Sequence, residues 1–151
     1  MSLSYRLCED FGRAVRLAWE ADSPLIEKYH IRAGEGIEAC VKDTVDTLKN
    51  CEDLKFYDVY FENELFGFFA TEKFKFGGFI TTFFIYPNFR SKKNKKDFVS
   101  LMIKHFDKET DIYSSVFGHN IRAVRFLEEH GFQVIEIGME KETLFYVFKY
   151  I

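Results

Sequence analysis

Apolar residues recur at helical spacing near the N-terminus. Phe11, Ala14, Val15, Ala18 and Trp19 predict a helix over 9–20, and Pro24 is expected to break the chain after it. Ile37, Val41, Val45 and Leu48 return every three or four residues, which predicts a second amphipathic helix over 35–49. Its wet side carries Lys42, Asp43, Asp46 and Lys49. Beyond Cys51 the period shortens. Residues 56–61 and 65–74 read as two strands joined by the turn Glu62-Asn63-Glu64. After a turn at 75–78, residues 79–86 form a nearly all-apolar run, the mark of a strand covered on both faces. Pro87 should end it, with a polar loop over 88–94. Phe98, Leu101, Met102, His105 and Phe106 predict a helix over 95–108, and residues 112–117 alternate as a strand. Asn120 suits a helix N-cap, and Gly131 suits the position just past that helix's end. Two last strands are expected at 132–137 and 143–150, around a turn at Gly138 to Glu142.

A strand, helix, strand order requires a crossover, so part of the sheet must be parallel, while the hairpins are antiparallel. The expectation is an α/β domain with a mixed sheet of six or seven strands and about four helices. It fills residues 1–151 as a single domain, because no linker, repeat or low-complexity tract divides the chain.

Composition narrows the partners. Formal net charge is −3, which argues against a general nucleic-acid binder. The run from Lys92 to Lys96 is the one local exception. Nineteen Phe and eight Tyr suit a substantial sheet. Three cysteines, Cys8, Cys40 and Cys51, lack metal-ligand spacing and read as reduced thiols of a cytoplasmic protein. His30, His105, His119 and His130 show no metal spacing either, so no metal site is expected. No apolar run has membrane-spanning length, and no membrane partner is expected.

Three stretches carry a family resemblance. Asn63-Glu64-Leu65-Phe66-Gly67-Phe68 resembles the hairpin that the GNAT acyltransferases (GCN5-related N-acetyltransferases) place before their central strand. Ile85-Tyr86-Pro87-Asn88-Phe89-Arg90 resembles that family's V-x-P-x-Y-R strand end. Val116 with Asn120 to Phe132 resembles its V-x-x-x-N-x-x-A-x-x-L-Y-x-x-x-G-F signature, the most specific of the three. There are two departures. The acyl-CoA loop of the family has glycines where this chain has Lys93 and Lys95, and Leu127 stands where a tyrosine often serves as general acid.

The resemblance implies an N-acyltransferase that moves an acetyl group from acetyl-CoA to an amine, by direct attack and without a covalent enzyme intermediate. The acceptor is a small-molecule or protein amine, and a homodimer is one admissible state. It implies cofactor contacts from Ile85, Tyr86, Arg90, Ser91, Lys92, Lys93, Asn94, Lys95, Lys96, Asn120 and Phe126. A backbone N–H near Ile85 or Tyr86 would polarise the thioester carbonyl. Glycines let backbone approach phosphate, whereas lysines offer side-chain charge instead. No catalytic acid or base is readable. Glu62, Glu64, Glu72, Tyr86, Ser114 and His119 are candidates by position. The alternative is an eroded GNAT-fold binding or structural protein, of the kind found among tailed-phage proteins.

Overall fold

The computed structural model describes residues 2–28, 37–140 and 143–151. Its elements run β1 (Leu3–Leu7), α1 (Phe11–Lys28), α2 (Ile37–Lys49), β2 (Leu54–Phe61), β3 (Glu64–Phe74), β4 (Gly77–Ile85), α3 (Lys92–His105), β5 (Ile112–Phe117), α4 (Ile121–Glu129), β6 (Phe132–Glu140) and β7 (Thr143–Tyr150). The strands form one seven-stranded mixed sheet in the order β1-β2-β3-β4-β5-β7-β6. Among the described residues only β4 and β5 pair in parallel.

Each face of the sheet closes on a helical pair. Neighbouring positions of β3 divide between them, as a period of two requires. Phe69 faces α3 and α4, in a core with Phe66, Phe98, Met102, Leu127 and Phe148. Phe68 faces α1 and α2, with Ala14, Val15, Val41 and Phe56. Each fully buried aromatic contributes roughly 2–3 kcal/mol of transfer free energy, so these two layers anchor the fold.

Four expectations are corrected. β1 was not anticipated, although Leu3, Tyr5 and Leu7 alternate with polar residues. It lies at an edge and is mostly exposed, so burial gave it little apolar signature. Helix α1 does not stop before Pro24 but runs to Lys28. A proline forfeits one backbone bond, and the remaining bonds of the helix carry it past that point. The turn predicted at Gly138 to Glu142 is shorter, because Gly138 lies inside β6 and Glu140 already pairs with Thr143. Residues 141 and 142 lie outside the described residues, as do positions 35 and 36 of the predicted second helix and His30.

The fourth correction bears on function. The polar loop expected over 88–94 is a 3₁₀ turn at Pro87–Phe89 followed directly by α3, which starts at Lys92. Ser91 caps that helix, its Oγ accepting from the Asn94 N–H at 3.2 Å. Lysine is a good helix former, and Lys93 pairs with Asp97 one turn on at 2.9 Å. The lysine run is therefore the first turn of a helix.

Candidate functional site

The seam between β4 and β5 is short. Three residue pairs hold it, ending at Ile80 opposite Ser114. One residue later, at Thr81, the pairing of β4 with β3 shifts register, so that Thr81 is an extra residue. A bulge of this kind bends a strand and reverses which residues face each neighbour. Below it, Gly78 donates its N–H to the carbonyl of Asp111, the residue just before β5, at 2.8 Å. Above it, Tyr86 donates its N–H to the Phe66 carbonyl on β3, at 2.9 Å. Alternation then turns the backbone N–H and C=O of Phe83 and Ile85 away from β3, toward a side where β5 no longer pairs. The result is a gap between two diverging strands, edged on one side by backbone polar groups.

The mouth of the gap is cationic. Arg90 Nε donates to the Ile85 carbonyl at 2.6 Å, with its guanidinium over the Phe84 ring at 5.2 Å. Burial holds the Arg90 pKa below its ordinary value, and the like charge of Arg122 lowers it further. Arg122 belongs to the first turn of α4, which Asn120 caps by accepting from the Ala123 N–H at 3.3 Å. Among the described residues neither arginine has a carboxylate partner. Lys92, Lys93 and Lys96 are exposed on the first turns of α3, and Asn94 and Lys95 are half-buried there. Two helix N-termini and several cations thus collect around one gap, an arrangement suited to an elongated polyanion.

The apolar wall comes from Phe126 on α4, whose ring stacks on Phe83 at 5.0 Å between centroids. The opposite face of the gap's β4 edge carries Phe84 and Tyr86, in edge-to-face contact. The Tyr86 hydroxyl accepts from Arg13 at 3.3 Å, and Arg13 also pairs with buried Asp58 on β2 at 3.0 Å. That network draws the hydroxyl toward β2, away from β5. Asp58 and burial together raise the neighbouring Cys8 thiol to about 11, burial being the larger cause, so this thiol stays protonated.

Other candidates divide by position. The Ser114 hydroxyl is buried and donates to the Ile80 carbonyl at 2.8 Å, closing the seam. Glu72 pairs with Phe79, below the seam's last pair and away from the gap. Glu62 and Glu64 sit at the β2–β3 turn, where Glu62 takes a positive φ of 55°. His119 follows β5, its ring parallel to that of Phe117 at 5.7 Å, and burial lowers its pKa from 6.5. No group of His, Cys, Asp and Glu among the described residues is placed to hold a metal ion. Sequence reasoning missed Arg122, Thr81 and the Arg13–Asp58 pair. Arg122 was visible as a basic residue two places after the capping asparagine, whereas nothing in the sequence marks the bulge or the pair.

The architecture is that of the GNAT acetyltransferases, and solved structures of that class superpose over nearly the whole chain. The PaiA N-acetyltransferase of Thermoplasma acidophilum, solved with coenzyme A, shares 18% identity over 99% of each chain, with a TM-score of 0.62. An aminoglycoside N(6′)-acetyltransferase of Legionella pneumophila shares 18% identity over 99% of this chain and 92% of its own, with a TM-score of 0.69. The spermidine N-acetyltransferase of Vibrio cholerae, solved with CoA and spermine, shares 14% identity over 98% and 94%, with a TM-score of 0.65. No family model matches the sequence. No curated protein matches it either.

Proposed function

We propose that this chain is an acyl-CoA-dependent N-acyltransferase that acylates an amine, with residues 1–151 forming one catalytic domain of a cytoplasmic protein. The observation that carries this reading is the gap beyond Ile80 and Ser114, where the N–H and C=O of Phe83 and the N–H of Ile85 lack a strand partner, the Ile85 carbonyl being held by Arg90. Such groups suit the amides of an extended cofactor arm, and the capped starts of α3 and α4 with Arg90 and Arg122 suit its phosphates. Solved neighbours crystallised with coenzyme A, and neighbours named for spermidine and aminoglycosides, support CoA as co-substrate and a small amine as acceptor.

A bound acyl-CoA would supply an activated thioester carbonyl. The chain's own part is to align it. An N–H of Phe83 or Ile85 lies on the correct side to donate to the oxygen that gains charge as the amine attacks. The attacking ammonium must first lose a proton. His119 is a candidate acceptor by position, since it follows the diverging end of β5, where its ring stacks on Phe117. Ser114 is committed to the seam and Tyr86 to Arg13. The C–N bond forms, the C–S bond breaks, and solvent protonates the leaving thiolate, since Leu127 cannot.

The lysines at 93 and 95 change how phosphate would be held. Ammonium groups act as point charges, so affinity should fall as salt rises. Calorimetry with CoA and acetyl-CoA at low and physiological ionic strength tests the reading. Binding that weakens with salt, and that weakens about tenfold or more in Arg90→Gln with Arg122→Gln, is the expected result. Absence of binding at low salt overturns the enzymatic reading and leaves a GNAT-fold binding or structural protein.

A further inference from the structure

We infer that the acceptor is a primary amine carried on an aromatic or similarly apolar body, and that Phe84, Tyr86, Phe117 and Phe145 form the surface that selects it. The inference rests on the acyltransferase reading and adds a substrate class to it.

The two faces of the gap differ. On one face the core of α3 and α4 fills the space, and Phe126 lies on Phe83. On the other, α1 and α2 pack over β2, β3 and β4. Among the described residues that core takes no member from β5, β7 or β6. An amine that attacks a thioester held between the strands therefore approaches from this second face.

Register decides which side chains it meets there. Ser114 pairs with Phe148 of the α3–α4 core, so Ser115 and Phe117 turn to the second face. Phe145 pairs with Phe117 and shares that face. Its ring lies over Gly138 of β6, where an added Cβ would meet it at 2.5 Å. Phe117 is 37% exposed, and its ring runs parallel to that of His119. Across the gap, Thr82 pairs with Ala70 of the α1–α2 core. Phe84 stacks on Phe68 of the same core, and Tyr86 meets the Phe84 ring edge to face. The gap on this face thus has two aromatic walls, Phe84 with Tyr86 and Phe117 with Phe145. Its narrow end, just beyond the last β4–β5 pair, carries the hydroxyl residues Thr82 and Ser115.

Charge separates this surface from one built for polycations. A polyamine or an aminoglycoside keeps further positive charges after one nitrogen is placed for attack, and a charge set against rings without a partner is costly. Beside the β4 wall, Asp58 is taken up by Arg13, the arginine that also donates to the Tyr86 hydroxyl. Among the described side chains, β5, β7 and β6 add one carboxylate on this face, Glu136. It shares a row with Val147 and Ser115, and so lies two strand spacings, roughly 10 Å, from Ser115. Hydroxyls at the narrow end and rings farther out match a molecule with one amine and an apolar body.

Steady-state acetylation by the purified chain, followed as thiol released from acetyl-CoA, tests this with phenylethylamine against spermidine. The wild-type kcat/KM for phenylethylamine should exceed that for spermidine by about tenfold or more. Phe117→Glu should narrow or reverse the order, raising KM for phenylethylamine and lowering it for spermidine, while calorimetry shows CoA affinity unchanged. The wild-type comparison decides the matter if that variant fails to fold. An equal or higher value for spermidine in the wild type overturns the inference, as does a folded Phe117→Glu variant that keeps the wild-type preference. So does acetylation of neither amine by a chain that binds CoA. These outcomes leave the acyltransferase reading in place, whereas a chain that binds no CoA at low salt loses both.

Discussion

Ser114 donates its hydroxyl to the Ile80 carbonyl across 2.8 Å, and beyond this bond β4 and β5 no longer pair. Ser114 is fully buried, so the bond is shielded from competing water. Ser114→Ala removes the donor without filling space. The expected cost is about 1–2 kcal/mol, lowering the melting midpoint by about 2–6 °C as read by calorimetry. CoA affinity should fall with it, because the strands that edge the gap lose their last tie. An unchanged midpoint would show that this contact does not hold the seam.

His105 gives the protein a pH dependence of known sign. Its Nδ1 faces the Tyr5 hydroxyl at 3.0 Å and its Nε2 faces the Thr71 hydroxyl at 3.4 Å, among the rings of Tyr57, Phe69 and Phe106. Burial lowers its pKa below 6.5, with Lys73 and Lys55 adding to the shift. The unfolded chain therefore binds the proton more readily than the folded one. Stability is fully present above about pH 6.5 and declines as pH falls below it. Denaturant midpoints measured from about pH 7.5 down to about pH 5.5 should fall in the wild type. They should fall less steeply in His105→Gln, which keeps polar atoms but does not titrate. Parallel slopes would exclude His105 as a source of the dependence.

Gly131 takes a φ of +94° just after α4, a conformation that side chains disfavour. An added Cβ would also meet the Tyr150 ring at 3.0 Å. Gly131→Val should cost about 2 kcal/mol or more, with the strain and the contact adding together. Urea denaturation at constant slope would measure it. A loss below about half that figure would mean that the chain end relaxes around the new side chain.

The sequence made some of this fold readable and hid the rest for physical reasons. Asn120 to Phe132 was legible because capping, periodicity and the closing glycine all point to one helix, and the structure has it at those residues. The second and third strands were legible from their turns and aromatics. The lysine run misled, since charge and polarity resemble a loop, while the deciding bond is a capping contact from Ser91 to Asn94. Thr81 could not be read as a bulge, because the shift depends on which residues of β3 oppose it. The meeting of Arg90 with Arg122 joins positions 32 residues apart in sequence, and only the crossover through α3 and β5 brings them together.

The brevity of the β4–β5 seam has a mechanical consequence. Strands β1 to β4 form one continuous antiparallel leaf and β5, β7 and β6 another, with three residue pairs joining them. A molecule lodged between the leaves would act as a rivet. It would resist their separation directly, in addition to rewarding the folded state by mass action. The buried core of Phe66, Phe69, Phe98, Leu127 and Phe148 spans both leaves on one face, so any widening of the opening would be resisted there and not at the seam.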